Sequence, residues 1–139
     1  MSNDYSFLAL WGAGVSTLLA GVKLWEMWRE RYRIETSYRL TSSETEGNEI
    51  YIRNLYNRPI IIEHWVLEWR KGIWPRINSS TINESDYHEG LSISAYSSHT
   101  LPFKGHEYFK TGMHKEKGES LYLKLYIVGK RGHSLLKVY

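Results

Sequence analysis

From Tyr5 to Val22 the chain runs 18 residues without a charged side chain. As a helix rising about 1.5 Å per residue, that stretch reaches roughly 27 Å, near the thickness of a bilayer's hydrocarbon core. Nothing else in the sequence restricts the fold so tightly, because a helix apolar on every side has no face to turn to water. Lys23 stands at its end, where an aliphatic stem can snorkel toward headgroups. Tyr5, Phe7 and Trp11 mark one end and Trp25, Trp28 and Tyr32 the other, the pattern of interfacial aromatic belts. A secretory signal peptide needs a basic start, yet the only charge before Tyr5 is Asp4, and no small-x-small cleavage site follows. The expectation for residues 1–33 is a transmembrane helix with a basic juxtamembrane flank.

The flanks set the orientation. No Lys or Arg precedes the helix, whereas Lys23, Arg29, Arg31, Arg33 and Arg39 follow it. The positive-inside rule then places the N-terminus outside an inner (plasma) membrane and residues 34–139 in the cytoplasm, with the bilayer as a partner. Arg29, Arg31 and Arg33 are candidates for lipid headgroups. Gly12, Ser16 and Ala20 recur at four-residue spacing beside Ala13, Thr17 and Gly21. Such small-residue rows permit close helix–helix approach in lipid, and so pairing with a second copy or a partner's helix. Gly12-x-Gly14 opens like a dinucleotide fingerprint, but no strand precedes it and Thr17 stands where the third glycine belongs.

After Arg33 the period changes to two. Strands are predicted at residues 34–40 and 50–53, at 60–69 after Pro59, at 73–82 as an edge interrupted by Pro75, at 91–95, at 100–103, and in a closing hairpin of 121–127 and 133–139 around Gly129-Lys130-Arg131-Gly132. Residues 85–90 read as loop, and 105–120, rich in Gly and Lys, as a longer one. Seven or eight short antiparallel strands over residues 34–139 point to a β-sandwich, with a small β-barrel as the alternative.

Chemistry is thinly represented. There is no Cys, which removes disulfides, thiolate metal sites and a cysteine nucleophile. The six His, at 64, 88, 99, 106, 114 and 133, show no spacing that sets two ligands on one element, so no metal and no cofactor are expected. No nucleophile elbow or P-loop occurs, Glu63 and Glu68 point to opposite faces of one strand, and no enzyme is expected. The net charge of +3 is too mild to argue for DNA or RNA. Rings and cations do gather: Arg70, Trp74 and Arg76 lie near one another, and Tyr122 and Tyr126 flank Lys124. These six are the candidate ligand-binding residues, since rings beside cations suit a nucleotide's base and phosphate. The competing reading is a sandwich core of Trp with Tyr and Lys on its solvated face. Two glycosylation sequons, at Asn78 and Asn83, carry no meaning in a cytoplasmic domain.

One helix, a basic flank, Ile50-x-Ile52-x-Asn54, the run Arg58-Pro59-Ile60-Ile61-Ile62 and the Gly-Lys-Arg-Gly hairpin together resemble small, mostly uncharacterised bacterial single-pass membrane proteins with a C-terminal immunoglobulin-like β-sandwich. The resemblance covers nearly the whole chain and implies no catalytic residues. A more distant one is to membrane effectors of bacterial anti-phage systems, in which a small β-barrel binds a cyclic nucleotide and clusters its helices; those carry two helices where this chain has one. The expected function is a membrane-tethered binding or interaction module without catalysis. Its alternative is a nucleotide-sensing effector that oligomerises through its helix.

Overall fold

A computed structural model describes residues 3–29 and 33–139, leaving aside the side chains of residues 3–5, 86 and 88. Arg31 and Tyr32, named above for the membrane flank, lie outside the described residues, as does the Tyr5 side chain. The chain divides into two compact units, Met1–Tyr32 and Arg33–Tyr139.

The first unit is one helix, α1 (Asn3–Arg29). Within its segment Ser6–Arg29 an 18-residue window has a mean hydropathy of 1.6 and none of it is buried, so the helix is long and apolar enough to cross a membrane. Two polar contacts are made within the helix itself. The Thr17 hydroxyl donates to the Ala13 carbonyl at 2.8 Å, and Lys23 Nζ donates to Glu26 at 3.0 Å. Such internal bonds lower the cost of placing these groups in or near lipid.

The second unit is mainly β, with seven antiparallel strands in two sheets. They are β1 (Ile34–Arg39), β2 (Asn48–Asn54), β3 (Ile60–Lys71), β4 (Asn78–Ile93), β5 (Ser98–Phe103), β6 (Ser120–Ile127) and β7 (Ser134–Lys137). One sheet has the order β1-β2-β5 and the other β4-β3-β6-β7. The inward positions follow the period of two: Ile50 and Ile52, Leu101 and Phe103, then Leu121, Leu123, Leu125 and Ile127 are all buried. On β3 the inward set changes parity, from Ile60 and Ile62 to Trp65, Leu67 and Trp69. A register shift between Ile62 and His64, seen against both neighbouring strands, absorbs the change and keeps both sets in the core.

Two segments differ from the sequence expectation. β4 begins at Asn78, after the Pro75 turn, and runs through residues 85–90, which read as loop by composition. Its alternation is hidden because Ser, Thr, Asn and Glu occupy both faces, yet it pairs with β3 from Asn78 to Ile93. Residues 105–120 carry a 3-10 turn at Gly105–Glu107 and a short helix, α2 (Gly112–Glu116). Phe109 anchors this connection in the core, edge-on to Phe103 (5.4 Å) and Trp69 (6.4 Å).

Two buried asparagines stand at the ends of β2. Asn48 accepts from the Thr41 amide (2.9 Å) and donates to the Phe109 carbonyl (2.7 Å). Asn54 donates to the carbonyls of Arg58 (2.8 Å), Ile93 (3.1 Å) and Ser94 (3.0 Å), and accepts from the Tyr56 amide (3.0 Å). Each thereby ties loops from both sheets to one central strand. At the β1–β7 side the Thr36 hydroxyl donates to the Lys137 carbonyl (3.2 Å), and Tyr38 meets Tyr139 edge-on at 5.3 Å.

Candidate ligand surface on the outer face of the four-stranded sheet

Residues alternating with the core of β3 and β6 form the outer face of the larger sheet. On β3 these are His64, Val66, Glu68 and Arg70; their partners on β6 are Tyr126, Lys124, Tyr122 and Ser120. Diagonal neighbours on such a face lie within reach of long side chains. Lys124 Nζ meets Glu68 at 2.9 Å, Arg70 Nε pairs with the other Glu68 oxygen, and the Arg70 guanidinium stands over the Tyr122 ring at 5.7 Å.

Glu68 is only 2% exposed, although it lies on the outer face. Burial pushes its carboxyl up, but hydrogen bonds from Lys124 and Arg70 outweigh that and hold it below the usual carboxylate range. The three charges leave a net of one positive charge. A carboxylate already chelated by both cations competes with any anion that approaches them.

Beside this triad, at the end of β3, opens a cleft of about 310 Å3. Arg70, Lys71, Ser120 and Tyr122 line it on the polar side, and Ile77 and Leu135 on the apolar side. The turn from β3 to β4 projects from the same end. Gly72 makes that turn possible, with φ at +102° and the Arg76 carbonyl only 2.2 Å from where a Cβ would stand. The turn leaves Ile73 86% and Trp74 80% exposed, with Arg76 exposed beside them.

Of the six residues expected to bind a ligand, Arg70 and Tyr122 therefore come together at the cleft. Lys124 adjoins them through Glu68, and Trp74 and Arg76 stand on the turn. Tyr126 is four residues along β6 from Tyr122, about 13 Å away, packed with His64 (5.1 Å) and His133 (5.7 Å). Trp65 and Trp69 are in the core. Sequence reasoning missed Glu68 as the group that organises the face. Its position two residues from Arg70, on the same side of one strand, was the available signal.

On α1, Cβ atoms added at Gly12 and Gly21 would meet nothing within 4 Å. Arg29 lies over the Trp25 ring at 4.8 Å, and Arg33 is exposed. Among the described residues no three His, Asp or Glu side chains group as metal ligands would. His114 pairs with Glu119 and stacks on Trp69 at 4.4 Å.

No protein-family model matches the chain, and no curated protein matches it. Among solved structures it is similar to Northeast Structural Genomics Consortium target SoR45, at 14% identity and a TM-score of 0.36, covering 78% of this chain and 81% of that one. It is also similar to Spo0M, a sporulation control protein from Bacillus subtilis (13%, TM-score 0.35, 77% of this chain), about half (49%) of whose length it spans. A third is a protein from Archaeoglobus fulgidus (13%, TM-score 0.32, covering 76% and 89%). All three TM-scores lie below 0.5, too low to carry a function across.

Proposed function

We propose that the protein is a single-pass membrane protein of the inner (plasma) membrane, N-terminus outside, whose cytoplasmic sandwich is a binding module rather than an enzyme. The carrying observation is α1: within Ser6–Arg29 it is long and apolar enough to cross a bilayer, and lipid would cover a surface of that kind. The immunoglobulin-like reading draws support from strand order. With β1, β2 and β5 as A, B and E, and β4, β3, β6 and β7 as C′, C, F and G, the two sheets follow the sandwich pattern of that fold. The exposed Ile73–Trp74 turn, flanked by Lys71 and Arg76, supports a protein partner, since exposed Trp beside cations is characteristic of interface anchors. Tethering acts by effective concentration, confining the domain near partners in the same bilayer.

The test is fractionation. The full chain is expected to stay with membranes through alkaline carbonate, with its N-terminus reachable by protease only from outside the cell. Release into the soluble fraction, cleavage that removes the first thirty residues, or glycosylation at Asn78 or Asn83 in a eukaryotic host would refute the anchor or its orientation.

The alternative of a nucleotide-sensing effector has the Arg70–Tyr122 cleft in its favour, and Glu68 weighs against it. It requires a nucleotide to raise the melting temperature of the chain. No shift across cyclic di- and trinucleotides would eliminate it.

A further inference from the structure

The two ends of the sandwich differ in charge. At the end where the chain enters β1, the loops are 54–59, 94–97 and 128–133, together with Arg33. They carry four cations, Arg33, Arg58, Lys130 and Arg131, and no carboxylate. At the other end, segments 40–47, 71–77 and 104–119 carry six cations and five carboxylates.

The cationic end is also built as one piece. The Leu55 amide donates to the Arg33 carbonyl (2.8 Å), the Asn54 amide to Ser97 (2.8 Å), and the Val128 amide to Ile61 (2.9 Å). Buried Asn54 joins loop 54–59 to turn 94–97 through its side chain. This end exposes apolar groups among its cations: Leu55 (39%), Tyr96 (73%) and Val128 (51%). Tyr96 does so from a left-handed backbone, φ +53°, which a bulky residue adopts only when its surroundings enforce it. Tyrosine and aliphatic groups interspersed with Arg and Lys suit the headgroup region of an anionic bilayer.

We propose that this end of the sandwich docks on the anionic lipid surface from which α1 emerges. Leu55, Tyr96 and Val128 enter the interface, and Arg58, Lys130 and Arg131 pair with lipid phosphates. The inference rests on the spanning-helix reading. Arg29 and Arg33 are four residues apart, at most about 14 Å of chain, so the Arg33 end cannot stray far from the headgroups. Glu35, the nearest carboxylate in sequence to Arg33, faces Arg53 across the β1–β2 pair. Docked in this way, the domain holds the Ile73–Trp74 turn at the far end of β3, whose twelve residues span about 40 Å, clear of the bilayer.

The test uses the full chain reconstituted in vesicles of phosphatidylcholine alone or with one-third phosphatidylserine, read by hydrogen exchange. Amides of 55–58, 95–97 and 129–132 are expected to exchange about tenfold more slowly on the anionic vesicles. Those of 72–76 should be unchanged. Arg58→Glu/Lys130→Glu/Arg131→Glu should abolish the difference while the near-ultraviolet dichroism of the folded domain persists. Equal exchange on both vesicles, or protection that survives the triple variant, would overturn the docking. The two readings separate in alkaline carbonate: a chain that leaves the vesicles overturns the spanning helix as well, whereas one that stays with unprotected loops overturns the docking alone.

Discussion

Replacing Asn54 by alanine should be among the most damaging single changes in the sandwich. Its side chain meets four backbone groups: its two N–H hydrogens are shared among the carbonyls of Arg58, Ile93 and Ser94, and its oxygen accepts from the Tyr56 amide. Each such bond is worth about 1 kcal/mol net, and an orphaned buried partner costs more than the mean. A loss of about 3–4 kcal/mol follows, a large part of the roughly 5–15 kcal/mol that holds a domain of this size. At 4–8 °C per kcal/mol for a domain of about 100 residues, the melting temperature should fall by about 12–32 °C. The assay is thermal unfolding of the detergent-solubilised full chain, followed by near-ultraviolet dichroism of the buried Trp65 and Trp69. Asn57→Ala, an exposed position in the same loop, serves as reference and should change stability by less than about 0.5 kcal/mol. Asn54→Asp gives the sign of the electrostatics. Its carboxylate would face three carbonyls in a buried site, which raises its folded pKa above the ordinary value. The variant should therefore be at least as unstable as Asn54→Ala at neutral pH, and recover as pH falls and the carboxyl is protonated. A loss below about 1 kcal/mol for Asn54→Ala, or an aspartate variant that weakens on acidification as the wild type does, would refute the reasoning.

Glu68 makes the opposite pH prediction. Its folded carboxyl is held below its unfolded value, so its contribution is complete above about pH 4.3 and disappears as pH falls through the folded value; Glu68→Gln should flatten that part of the acid-unfolding curve. Gly72→Ala should cost about 2 kcal/mol or more in urea unfolding, since its φ of +102° and the Arg76 carbonyl leave no room for a Cβ. Trp74→Ala, at a side chain 80% exposed, should leave stability within about 0.5 kcal/mol. The same change should reduce photo-crosslinking to a partner from position 73, and an unchanged yield would exclude the turn as an interface.

The strands that bury alternate residues, β2, β6 and the second half of β3, were legible because Ile, Leu and Trp repeat at every second position against polar neighbours. β4 was legible only at its two ends, read as an edge strand at 73–82 and a second strand at 91–95, because the polar stretch that joins them has no periodicity to read. Phe109 likewise stands as a single apolar anchor in a polar segment, and its burial depends on Trp69 and Phe103, forty and six residues away. The triad on the outer face was half legible. Arg70, Tyr122 and Lys124 stood out as cations and rings, but that Glu68 lies between Arg70 and Lys124 depends on the β3–β6 register, which no local pattern encodes. The helix needed no register at all.

Under the proposed membrane tether, which would confine the domain to a plane, the polarity of β4 acquires a meaning. Tethered copies would meet edge to edge far more often than copies in solution, and an open strand edge sixteen residues long would ordinarily invite sheet-to-sheet recruitment between neighbours. β4 exposes Asn78, Ser79, Ser80, Thr81 and Glu84, and its register against β3 shifts twice. A hydrophilic, kinked margin of this kind would let tethered molecules crowd in two dimensions without their sheets fusing.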